Sequence, residues 1–202
     1  MNDTLKASLT DYAADLTARL ARTDFDALAA IGELLLTAKR EDRAIFLIGN
    51  GGSAATASHV TNDLLKGCRA GDTPGFRATC LSDSSTLVTC LANDFSYAET
   101  YSILLRTYAK PGDLLIAFSG SGNSPNIVHA LATARDIGLT TVGFGGRDGG
   151  KMKPLCDHIL IAPTDSMEML EDFHLIYFHD LVCAMRPHLA ALAGTAPESC
   201  PC

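Results

Sequence analysis

Apolar residues recur at helical spacing through the first forty positions. Leu5, Leu9, Tyr12, Leu16 and Leu20 form one series, and Leu28, Ile31, Leu34 and Leu35 resume it beyond a break at Thr23-Asp24. This predicts helix over residues 1–41. The pattern then changes to short continuous apolar runs at 44–49, 77–81, 114–118, 140–144 and 158–162, separated by helical periodicity over 53–66, 84–92, 97–108, 124–137 and 166–189. Uninterrupted apolar strands alternating with helices predict a mostly parallel five-stranded sheet covered on both faces. Ser124 and Pro125 read as the cap and first position of one helix, and Gly138 as its end. Asp165 and Glu168 fit a capping box for the last. No internal repeat or linker splits the chain. The expected organisation is a helical segment over 1–42, an α/β domain over 43–192 and a flexible tail over 193–202.

Composition narrows the class. The chain has 202 residues, 47% of them hydrophobic, which is enough for one full core. Its net charge of −7 argues against a nucleic-acid face, which needs a basic surface. The N-terminus lacks the apolar stretch of a secretory signal, and no run reaches the ~18 apolar residues of a membrane span. Seven cysteines show no paired framework. They read as small buried hydrophobes in a reducing cytoplasm, apart from Cys200 and Cys202 in the tail.

Two segments share one build, an apolar strand followed by a Gly/Ser loop that opens a helix. Ala44–Gly49 leads into Asn50-Gly51-Gly52-Ser53-Ala54, and Leu114–Phe118 leads into Ser119-Gly120-Ser121-Gly122-Asn123-Ser124. Glycines let a ligand approach the backbone, hydroxyls donate, and a helix N-terminus favours an anion. The first loop is neither a P-loop nor a GxGxxG fingerprint. Each alone matches a plain strand-to-helix turn; the pair points to a phosphorylated small molecule.

The titratable residues add chemistry. His59 and Asp63 lie four apart on the helix opened by the first loop, and so share a face. Glu171, His174 and His179 lie on the last helix among apolar neighbours. Buried charge needs a partner, a metal or a catalytic task. His59, Asp63, Glu171 and His179 form a set suited to Zn²⁺ or a similar ion, or equally to metal-free acid–base chemistry. A satisfied core histidine is the plain alternative for each. Asn93-Asp94-Phe95 reads either as a helix end or as a sugar contact through Asp94.

Taken together, Gly49–Ala54, His59 with an acid four later, Ala92–Phe95, Ser119–Ser124 and Glu171-Asp-Phe-His-x4-His179 resemble the SIS (sugar isomerase) domain, and within it the phosphoheptose isomerases, over nearly the whole chain. The resemblance implies a flavodoxin-like fold and a homotetramer with active sites near subunit interfaces. It implies phosphate contacts at Ser119, Ser121 and Ser124, with Gly120 between them. Asn50, Gly51, Gly52 and Ser53 would lie close to the sugar, and Asp94 would contact substrate. The catalytic or metal cluster falls on His59, Asp63, Glu171 and His179, with one Zn²⁺ per subunit. The implied reaction converts sedoheptulose 7-phosphate to D-glycero-D-manno-heptose 7-phosphate through an enediol. The alternatives are isomerisation of another phosphosugar and a non-catalytic SIS protein that binds a protein partner. Three positions depart from the family pattern. Asp63 stands where Glu is usual, Glu171 where Gln is usual, and Gly120 where the loop often carries Thr. The first two leave either Glu171 or Asp63 as the base, with His179 as the proton donor.

Overall fold

The computed structural model describes residues 3–195. The tail beyond them, with Cys200 and Cys202, lies outside the described residues. Helices α1 (Asp3–Leu20) and α2 (Phe25–Arg40) lead into a sheet of five parallel strands, β1 (Ala44–Ile48), β2 (Arg77–Cys80), β3 (Leu114–Ser119), β4 (Thr140–Gly145) and β5 (His158–Ile161), in the order β2-β1-β3-β4-β5. Between them run α3 (Gly52–Asn62), α4 (Ser85–Asp94), α5 (Thr100–Tyr108) and α6 (Pro125–Ile137), and α7 (Met167–Ala193) closes the chain. This is the flavodoxin-like order, with its topological switch between β1 and β3.

Alternation along each strand divides the core into two layers. Ile45, Leu47 and Ile116 point to the face covered by α2, α3 and α7, where they meet Ile31, Leu35, Val60, Phe173, Tyr177 and Phe178. Phe46, Ile48 and Leu115 point to the face covered by α5 and α6, against Tyr101, Leu105, Ile127 and Leu131. The second N-terminal helix is therefore part of the main core, and Leu16 and Leu20 of α1 pack on its edge. No helix among the described residues is long and apolar enough to cross a membrane.

Several local details differ from expectation. The helix expected over 53–66 ends at Asn62 and continues as a single π-helical turn, Asp63–Gly67. The last helix is capped by Ser166, not Asp165. The Ser166 hydroxyl accepts from the Met169 amide at 3.3 Å and donates to Glu168 at 2.9 Å. It runs through Pro187 and stops at Gly194, which takes the left-handed conformation that favours glycine (φ +67°). Gly150–Leu155, between β4 and β5, form a 3₁₀ turn.

Candidate active site

The loops after β1 and β3 flank the topological switch at the C-terminal edge of the sheet, where ligands of such folds bind. In the first loop Gly51 takes φ +56°, and Tyr101 donates to the Gly49 carbonyl at 2.5 Å. Gly52 opens α3 directly against Glu171 of α7; a methyl group at Gly52 would collide with the Glu171 carboxylate. The carboxylate thus stands at a helix N-terminus, where the backbone favours negative charge.

The second loop is held from within and from behind. Ser119 Oγ accepts from the Gly122 amide at 3.1 Å, and Ser121 Oγ accepts from the Asn123 amide at 3.2 Å. Both hydroxyls keep their own proton to donate. Ser124 occupies the cap position of α6 but makes no side-chain capping bond, contrary to its expected role. The turn after β4 braces the loop: Met152 N donates to the Gly122 carbonyl at 2.9 Å and Lys151 N to Asn123 Oδ1 at 3.1 Å. Asn50, Ser53, Ser119, Gly120, Ser121, Ser124 and Glu171, with Phe118 and Met167, line a cavity of about 200 Å³. Seven residues expected at the site thus share one cavity, and Gly51 and Gly52 frame its first loop.

Two further side chains fix this cavity and carried no sequence signal. Asn50 and Asn126 exchange amide hydrogen bonds of 2.9 and 2.8 Å, and Tyr97 donates to Asn50 Oδ1 at 2.8 Å. Asp94 stands apart. It ends α4, is exposed, and accepts from its neighbours Asn93 (2.9 Å) and Cys90 (3.5 Å) rather than lining the cavity.

Further along the α3–α7 seam, His59, Asp63 and His179 converge, with one ligand atom from each within 4.8 Å of the others. The two Nε2 atoms are 3.0 Å apart and lie 3.4 and 3.3 Å from Asp63 Oδ2. Ligands at ~2.0 Å from a tetrahedral ion stand about 3.3 Å apart, so the triangle matches that geometry. Asp63 Oδ2 is buried and makes no hydrogen bond, and a cation would satisfy it. The residues fit a divalent metal. Glu171, expected as a fourth ligand, is not in this cluster. It precedes His179 by eight residues, about 12 Å of helix, and turns to Gly52 and the serine loop.

His174, between these two on α7, is buried. Its Nε2 lies 3.1 Å from the Gly145 carbonyl, and it packs by Phe118 and Phe144. Burial pushes its pKa down to about 4, opposed in part by the Gly145 bond, so it is a neutral core histidine at neutral pH. A larger groove of about 760 Å³ lies near the N-terminal ends of β1 and β2, beside Ala44, Arg77 and Asp113. It contains none of the candidate residues, and ligands of this fold bind at the opposite edge.

Comparison with known proteins places the chain in a family. Residues 9–146 match the SIS domain family. The chain is 38% identical over 173 residues to the phosphoheptose isomerase of Chlorobaculum parvum, covering 85% of this chain and 83% of that protein. It is 40% identical over 163 residues to that of Paramagnetospirillum magneticum, covering 81% and 79% respectively. The phosphoheptose isomerase GmhA from Neisseria gonorrhoeae superposes with a TM-score of 0.81 at 24% identity, over 90% of this chain and 98% of that one. The chain therefore belongs to the SIS domain family, in its group of phosphoheptose isomerases, which are sugar-phosphate isomerases.

Proposed function

We propose that this protein interconverts sedoheptulose 7-phosphate and D-glycero-D-manno-heptose 7-phosphate, with Glu171 as the base. The observation that carries the reading is the position of Glu171, whose carboxylate lines the cavity formed by the serine loop. Ser119, Ser121 and Ser124 hold the phosphate by neutral donors at the start of α6, which suits an acidic protein with no general positive field. Asn50 and Ser53 face the sugar from the other loop.

Glu171 takes the proton from C1 of the ketose and returns it to C2, while the hydroxyl proton passes from the C1 oxygen to the C2 oxygen through the enediol. Asp63 is the weaker candidate for this step, because its Oδ2 is turned to the two imidazoles. A divalent ion held by His59, Asp63 and His179 would supply a Lewis acid for sugar oxygens that reach that end of the α3–α7 seam. The start of α3 at Gly52 faces the Glu171 carboxylate and fixes where it stands.

Two exposed apolar surfaces support the homotetramer that the resemblance implies. Leu5 and Leu9 of α1 are 61% and 66% exposed, and α4 buries none of its residues within the chain. We read both as subunit contacts, with a tetramer as the assembly. Light scattering of the purified protein tests this directly.

The test of the reaction is turnover in deuterium oxide. Aldose product carrying deuterium at C2 is expected from a base that exchanges with solvent between the two transfers. Failure to form the heptose aldose would overturn the assignment.

A further inference from the structure

Asn126 is buried, 1% exposed, and separated from Asn50 by 76 residues, yet the two amides form a closed pair. The pair has a fixed polarity. Asn126 Oδ1 lies 3.0 Å from the Ile127 backbone N–H, which also donates to the Ser124 carbonyl. A flipped Asn126 would set its NH₂ against that N–H, so its oxygen must face Ile127 and its nitrogen must face Asn50. Asn50 Oδ1 then receives both Asn126 Nδ2 and the Tyr97 hydroxyl, which fills its two lone pairs. One N–H of Asn50 is given to Asn126. Among the described residues no acceptor meets the other N–H, and Asn50 lines the cavity.

We propose that Asn126 is a positioning residue, which holds the Asn50 amide with an N–H toward the cavity, so that Asn50 meets the phosphosugar only as a donor to one of its oxygens. The pair also ties the loop after β1 to the first turn of α6, and so sets the separation between the sugar and phosphate contacts. This rests on the phosphosugar reading of the cavity.

The test is a double-mutant cycle on the full-length protein, read as the dissociation constant for sedoheptulose 7-phosphate by calorimetry. Asn50→Leu and Asn126→Leu are each expected to weaken binding about 10-fold, the loss of one hydrogen bond to a polar ligand. The double variant is expected to bind no worse than Asn50→Leu, because Asn126 acts through Asn50. A merely structural Asn126 would give losses that multiply to about 100-fold, and that result overturns the proposal, as does parental affinity in Asn126→Leu. If Asn126→Leu does not fold, Asn126→Asp takes its place in the same cycle. It keeps acceptors toward Ile127 and Asn50 but cannot donate to Asn50 Oδ1, and the same two outcomes apply. Binding without turnover in the parent sinks the isomerase reading and leaves the cycle readable. A parent that does not bind the sugar phosphate overturns both.

Discussion

Two carboxylates divide the work of the site at the scale of single residues. Glu171 belongs to the ligand cavity and Asp63 to the histidines. Glu171→Gln restores the residue more usual in the family and removes the proposed base, so kcat is expected to fall at least about 100-fold while sedoheptulose 7-phosphate still binds. Turnover near the parent's would place the base elsewhere. The histidine pair gives a second expectation. Two Nε2 atoms 3.0 Å apart beside a buried carboxylate oxygen that makes no hydrogen bond form a donor set that a cation would complete. Zn²⁺ should therefore raise the melting temperature of the parent, as any ligand of the folded state does, and should leave that of His59→Ala unchanged. An equal rise in both, followed by differential scanning fluorimetry, would show that zinc binds elsewhere. His59, Asp63 and His179 were legible in the sequence because charge at helical spacing on apolar helices is a conspicuous signal. Asn126 and Tyr97 were not, since a neutral amide and a surface phenol leave no periodic trace and act only through a contact between distant segments. Asp94 could be named as a candidate, but its distance from the cavity depends on where α4 docks. Glu171 stands apart from His59, Asp63 and His179 because it lies two turns before His179 on α7 and turns to Gly52.

At the scale of elements, the site is a seam between α3 and α7. The glycine at the head of α3 lets the two helices approach so that Glu171 reaches the loop. Gly52→Ala places a methyl group on the carboxylate. The variant should fold, since alanine is the better helix former by up to ~1 kcal/mol. Its kcat should nevertheless drop on the order of 100-fold, because a displacement of ~1 Å is costly to proton transfer. A folded Gly52→Ala protein with parental kcat would mean that the carboxylate has room to act from another position. The strands and most helices were legible because continuous apolar runs and 3.6-residue periodicity are properties of local sequence. The π turn at Asp63–Gly67 was not, because it adds one residue to a helical turn without changing composition. It opens at Asp63 itself, so the irregular turn carries the carboxylate that is one methylene shorter than the family's usual residue. The true cap of α7 was missed by one residue, since Asp165 and Ser166 are both good caps and only the backbone angle chooses between them.

For the whole molecule, acid stability follows from the buried His174. In the unfolded chain it takes a proton near pH 6.5, whereas the fold holds it neutral down to about 4. Below pH 6.5 the unfolded state binds more protons, so its contribution is complete above that value and declines as pH falls toward 4, by a total of about 3 kcal/mol. Urea denaturation from pH 7 to 4.5 should show this decline, and His174→Gln, which keeps a donor for Gly145, should flatten it. An identical slope in the variant would assign the acid sensitivity to other groups. The sheet, covered by helices on both faces, holds both parts of the proposed site in one chain. The parallel sheet brings both Gly/Ser loops to one edge, and α3 and α7 run from that edge to the His59–Asp63–His179 cluster about two turns away. The measurement that bears most directly on this account is turnover of sedoheptulose 7-phosphate by protein stripped of metal by chelation and then reloaded with Zn²⁺. The account predicts that turnover is lost with the metal and returns with it. Full turnover by protein verified to be metal-free, or none in either state, would contradict it.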